Sequence, residues 1–421
     1  GGSPRAFKLG NLDKTKTKIN SIRNYEENTD LEVKYVYSKP SVLNGGSNAV
    51  TDGRNVSIKV FHSLIAMPDN DYEVRYDDPR VGYFSTQVDD KTSTSSAPYR
   101  DLIHRWHLKK KDPNAAISEP VKPITWWMEN TTPIEWRETI KKAVLRWNVA
   151  FEKAGFKNAM VVKTQPDDAD WDAGDINYNV LRWTASPNPP FGGYGPSFVN
   201  PKTGQILGAD VMLEFIHFSG RVMIGKVFDG NIEEEEFDFN NQNQMRCSAG
   251  HIMAENTMFG QAVITAFDDS DLELKKILHD NMMRLIMHEV GHTLGLYHNM
   301  RGSQLFSPEE LSTPSLIEGK ALSTSVMEYP AINITRDRSK QGIYYDNAVG
   351  PYDEWAIELG YKEFDSEKER KDLLNKSAQP ELAFGNDADD MRSSNRGIDP
   401  RVNIYDLSND AIGYAIERIH L

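Results

Sequence analysis

A single cysteine, Cys247, stands in a chain of 421 residues, so no disulfide can form within it. A chain this long buries enough apolar surface to hold without covalent staples. The lack of thiols therefore suits a reducing compartment without excluding an oxidising one. Long apolar runs are missing too: no stretch of about 18 residues is uniformly apolar, the length a membrane-spanning helix needs. Positive charge is in deficit, with 48 Lys and Arg against 62 Asp and Glu and a net charge of −14. Nucleic-acid binding calls for a basic surface, so that class is excluded. The one short basic run, Lys109-Lys110-Lys111, reads as a solvated loop. No internal repeat is present. What remains is 39% hydrophobic and 26% charged, the make-up of a globular protein of two or three domains.

The first third reads as β-rich. Val33–Tyr37, Val56–Ile65 and Tyr72–Tyr76 gather β-branched and aromatic residues between Gly, Asn, Ser and Asp turns. Asn44–Asn48 and Asp89–Ala97 read as loops. A boundary is expected between Lys109 and Pro123, giving a β-rich domain over 1–115. Ile124–Met128 follows as a strand. The next helix is marked by Thr132 as N-cap, Pro133 at its first position and Glu135 completing a capping box. Trp136, Ile140, Val144, Trp147 and Phe151 then recur at spacings of three and four, and Gly155 stops the run. Met160–Lys163 and Ile176–Trp183 read as further strands. Residues 217–271 form an insertion with the acidic run Glu233–Glu236. That run and Asp167-Asp168-Ala169-Asp170 match no calcium-loop spacing, so calcium is the disfavoured reading for both. Pro351–Leu359, Asp365–Lys376 and Asp410–Ile419 read as helices, with 365–421 a C-terminal extension.

The chemistry concentrates in His288-Glu289-Val290-Gly291-His292-Thr293-Leu294-Gly295-Leu296-Tyr297-His298. Residues four apart on a helix share a face, so His288 and His292 can offer their imidazoles to one metal ion. Glu289, on the adjoining face, is placed to hold a water beside the metal. Gly295 can adopt the positive φ that ends a helix, and the turn returns His298 as third ligand. Three protein nitrogens leave zinc one open position, the arrangement of a catalytic site. An ordinary core helix would have to explain Glu289 among Leu285, Ile286, Met287 and Val290, because a buried carboxylate without a partner is costly.

This run resembles the extended zinc signature of the metzincin metallopeptidases, in which a methionine turn follows. Ser325-Val326-Met327-Glu328-Tyr329-Pro330 is similar to that turn. The resemblance implies that Met327 floors the three imidazoles and that Tyr329 reaches the metal or a developing oxyanion. Asn299-Met300 after His298 departs from the matrixin, adamalysin and astacin patterns. Arg75–Phe84 and Val349–Ile357 look similar to large bacterial zinc-dependent metzincins with an N-terminal domain of unknown function, some of which extend further.

An α+β fold is thereby implied. A metzincin-like domain at 116–364 would have a mixed sheet, an antiparallel edge strand, a long active-site helix and the methionine turn. Its edge strand would pair with substrate, and Tyr194–Val199 is the candidate, with Tyr194, Gly195, Ser197 and Phe198 facing the peptide. The segment 206–214 is second choice, and Pro196 favours an edge.

The expected activity is zinc-dependent hydrolysis of peptide bonds, with Glu289 as base and one Zn2+ as cofactor. Two alternatives are a latent or binding-only relative whose N-terminal domain covers the cleft, and a hydrolase of non-peptide amides. The resemblance implies a secreted or envelope location, and the opening Gly1-Gly2-Ser3 suits a processed chain. Cys247 could cap zinc as a thiolate, but a lone cysteine in an insertion reads rather as a small buried hydrophobe. His104, His107, His217 and His251 lack ligand spacing and read as structural.

Overall fold

The computed structural model describes residues 10–38, 55–185, 193–214, 249–267, 271–391, 397 and 399–421. Glu233–Glu236, Cys247, His217 and Asn44–Asn48 lie outside them. The architecture is α+β, in two compact units: residues 1–70 with 170–178, and residues 71–169 with 179–421.

In the first unit, β1 (Asn11–Leu12), β2 (Lys18–Asn24), β3 (Asn28–Ser38) and β4 (Asn55–Ile65) form an antiparallel sheet. β3 is central and pairs with β4 along its whole length, from Asn28 opposite Ile65 to Ser38 opposite Asn55. The 170–178 segment joins this unit through Arg23 and Tyr25, which both bond Asp172.

The second unit holds β5 (Ser85–Thr86), β6 (Leu102–Ile103) and β7 (Arg105–Trp106). Tyr72–Tyr76, expected as a strand, is not one; only Tyr76 bridges, to Leu102. The main sheet runs β11 (Gly193–Tyr194), β14 (Val211–Glu214), β10 (Asn179–Thr184), β8 (Ile124–Met128), β9 (Met160–Thr164). All neighbours are parallel except β11, which runs antiparallel to β14. Parallel neighbours need a crossover, and helices α1 (Ile134–Leu145) and α2 (Asn148–Lys153) supply it between β8 and β9. Pro133, not Thr132, is the N-cap, with no side-chain cap bond, and the expected continuous helix breaks at Arg146–Trp147. Its apolar stripe is nevertheless buried: Ile140, Val144, Trp147 and Phe151 are 0–1% exposed.

Helix α3 (Ala249–Ala266) lies within the expected insertion and packs on α4 (Asp271–Thr293), where Asn281 donates to Thr257 Oγ1 at 2.6 Å. Beyond the short turns α5 (Pro308–Leu311) and α6 (Pro314–Ile317) come α7 (Pro351–Tyr361), α8 (Glu367–Leu374) and α9 (Ala411–Ile419). Among the described residues no helix is long and apolar enough to cross a membrane.

The candidate edge strand divides. Tyr194 lies on β11, at the edge of the main sheet, while Ser197 and Phe198 belong to β12 (Ser197–Val199) of a second sheet with β13 (Gln205–Ala209) and β7. Gly195 and Pro196 lie between them in no strand, and proline has no N–H to continue a ladder. The second-choice segment likewise splits at Asp210, into β13 and β14.

Candidate metal centre

Helix α4 carries its first half at the surface and its second half, from Asp280, in the core. Trp147 of the α1–α2 break donates its indole N–H to Met287 O (3.1 Å), fixing the height at which the histidines emerge. The helix ends at Gly295, whose φ is +96°. Gly295 N–H donates to His292 O (3.0 Å) and Leu296 N–H to Gly291 O (3.1 Å), the two bonds that close a helix on a left-handed residue. A side chain at 295 would also collide with His104 O. The turn brings His298 back toward the helix.

His288, His292 and His298 are the one group of potential metal ligands found among the described residues, their ligand atoms all within 4.8 Å of one another. Each ring is held through Nδ1. His288 donates to Val326 O (2.7 Å), His292 to Leu296 O (3.0 Å) and His298 to the Asp387 carboxylate (2.8 Å). Carbonyl and carboxylate oxygens only accept, so the proton sits on Nδ1 and the Nε2 lone pairs remain for a metal. Burial and the neighbouring imidazoles hold His288 well below the usual histidine range, and His292 falls to about 3. Both are therefore neutral at physiological pH, as ligands must be. Two buried, neutral imidazoles and a third that is half-buried, all three presenting Nε2, fit zinc.

Glu289 is fully buried. Strand β11 passes directly over it: a Cβ on Gly193 would fall 2.7 Å from Glu289 Oε1, and one on Gly195 would strike Glu289 O. Only glycine lets the strand come so near. Met327 packs under the helix between the first two histidines, with its Sδ filling the space that a Cβ on Gly291 would need. Tyr329 Oη donates to His298 Nε2 at 2.8 Å, which puts the hydroxyl beside the nitrogen a metal would take.

Three supports are not marked by spacing. Arg284, one turn before His288 and 1% exposed, donates to Val326 O and to Glu328 O (2.6 Å), gripping the carbonyls on either side of Met327. Its charge is met by Asp346 at 2.9 Å. Asp353, at the start of α7, accepts from Val326 N–H (2.8 Å) and Ser325 Oγ (2.6 Å). Asp387 comes from the C-terminal extension. Of the other histidines, His104 bonds Thr86 and His107 lies against Asp71, and neither joins the triad.

Two histidines on one helix, a third after a glycine turn and a buried methionine turn beneath them define a metzincin-type zinc centre. Residues 271–421 match the family described as Met-zincin, and residues 1–111 match a domain of unknown function (DUF5117). From residue 271 onward the chain belongs to the Met-zincin family, and it carries that N-terminal domain. No curated protein and no solved structure matches it.

Proposed function

We propose that the protein is a zinc endopeptidase in which Glu289 is the general base. The observation that carries this is the position of the buried Glu289 carboxylate, between the helix that bears His288 and His292 and the edge strand β11. Zinc held by His288, His292 and His298 would polarise a carbonyl and bring the pKa of a water to about 7. Glu289 takes a proton at its carboxylate and passes it to the leaving amine. Tyr329 donates its hydroxyl toward the oxygen on which charge develops. Among the described residues β11 is the outermost strand of the main sheet, the stretch along which an extended chain would lie, and this favours peptides over other amides. We further propose a secreted or envelope location, which rests on the resemblance.

The test compares zinc-loaded wild type with Glu289→Gln on unfolded casein. Cleavage should fall by at least ~10²-fold, the lower end for loss of a general base, while zinc content stays the same. If the variant sheds zinc as a histidine variant does, Glu289 is a ligand and the role assigned to it is wrong.

A further inference from the structure

We propose that Asp387 is a positioning residue for the metal centre, so that the C-terminal extension completes the site. This rests on the zinc reading above and adds a residue to it. Through Nδ1, His288 and His292 are held by main-chain carbonyls, whereas His298 is held by a side chain that arrives from 89 residues downstream.

The placement of Asp387 is built from both sides. Asn299, the residue after His298, donates to Ala383 O (3.1 Å) and accepts from Gly385 N–H (3.2 Å). Met300 N–H then donates to Gly385 O at 2.7 Å, so the 383–385 stretch of chain is zipped to the ligand loop. Asn299 N–H is itself bonded to Met327 O (3.1 Å), which ties the zipper to the methionine turn. Beyond it, Asn386 and Asp389 close a small turn, with Asn386 N–H on Asp389 Oδ2 (3.1 Å) and Ala388 N–H on Asn386 Oδ1 (2.8 Å). Asp387 sits in that turn with its carboxylate 2.8 Å from His298 Nδ1, and His298 is only 12% exposed while Asp387 is 36% exposed. A carboxylate accepting from Nδ1 fixes the tautomer, aims Nε2 at the metal and makes that nitrogen a stronger donor. The Asn299-Met300 pair, which sets this chain apart after its third histidine, thus docks the segment that carries Asp387.

The experiment measures zinc affinity of the full chain by competition with a chromophoric chelator, for wild type and for Asp387→Ala, Asp387→Asn, Asp387→Glu and His298→Ala. Melting of each metal-free variant is followed in parallel. Asp387→Ala should bind zinc ~10–100-fold more weakly, the usual cost of losing such a partner, with metal-free melting unchanged. Asp387→Asn, which keeps an acceptor and loses the charge, should fall between, and Asp387→Glu should recover part of the loss. A residue of purely structural value would lower metal-free melting and leave affinity alone. Wild-type affinity in Asp387→Ala, alongside loss of zinc in His298→Ala, would overturn the role of Asp387 and spare the metal centre. Unchanged affinity in His298→Ala would overturn the three-histidine centre itself. Should Asp387→Ala fail to fold, the near-isosteric Asp387→Asn decides, and full affinity there would refute the charge argument.

Discussion

Tyr329 and Met327 lie two residues apart on one turn and should fail in different ways. Tyr329→Phe deletes a hydroxyl and little volume, so stability should barely move. If the hydroxyl binds the oxyanion, kcat should drop by ~10²–10³-fold with KM nearly constant, as for a lost oxyanion donor. An unchanged kcat would reduce Tyr329 to packing. Met327 is fully buried against Gly291, so Met327→Ala should cost about 2–5 kcal/mol of stability in denaturant titrations, while the folded fraction still turns over. The imidazoles give a pH dependence. Burial lowers His288 and His292 in the fold below their ordinary value of 6.5, so the unfolded chain binds protons first. Metal-free protein should be fully stabilised by these groups above pH 6.5 and lose that stability as pH falls toward about 3. Replacing both by Gln should flatten the acid limb. At this scale the convergence of His288, His292 and His298 was legible, because helix geometry turns a spacing of four into one face and a glycine into a turn. Asp387 was not: its bond closes across 89 residues from within an Asn/Asp-rich stretch that reads as loop.

Among the elements, the methionine turn is held by charge as much as by packing. Arg284 bonds the carbonyls flanking Met327 and is itself neutralised by Asp346, with both side chains almost wholly buried. Arg284→Met would leave Asp346 buried without its cation and should destabilise by about 3–5 kcal/mol, measured by chemical unfolding. Adding Asp346→Asn, which removes the stranded charge but keeps an acceptor for the Leu322 and Ser323 N–H groups, should recover part of that loss. No recovery would mean that Arg284 matters for its carbonyl bonds alone. Long periodic elements were legible: the buried stripe from Ile140 to Phe151 and helix α7 emerge close to their expected bounds. Boundaries and pairings were less so. Thr132 looks like a cap, yet the helix begins after Pro133, whose fixed φ suits a helix start. Tyr194 to Phe198 reads as one strand by composition, yet Pro196 cannot continue the ladder and the chain changes sheets there.

Across the whole second unit, the candidate metal centre is enclosed by segments distant in sequence. Residues 82–84 run alongside the ligand turn, with Phe84 N–H on Gly295 O (2.7 Å) and Tyr297 N–H on Gly82 O (2.9 Å). Tyr83 Oη donates to Ala356 O (2.7 Å) and Trp106 Nε1 to Thr293 O (2.8 Å). We therefore expect a chain starting at residue 71 to keep cooperative unfolding and zinc, and one starting at 116 to lose both. Equal behaviour of the two would show that 71–115 is dispensable. Composition could not reveal this, since contacts between 82–84 and 295–297 leave no local signature. The central claim is that three imidazoles hold one zinc ion. X-ray absorption at the zinc edge of the purified full chain reads that ligand set directly. Three nitrogen scatterers of imidazole type at about 2.0–2.1 Å with a further light atom, at one zinc per chain, are predicted. A sulfur scatterer at about 2.3 Å, which only Cys247 could supply as thiolate, or a site without imidazole, would contradict it.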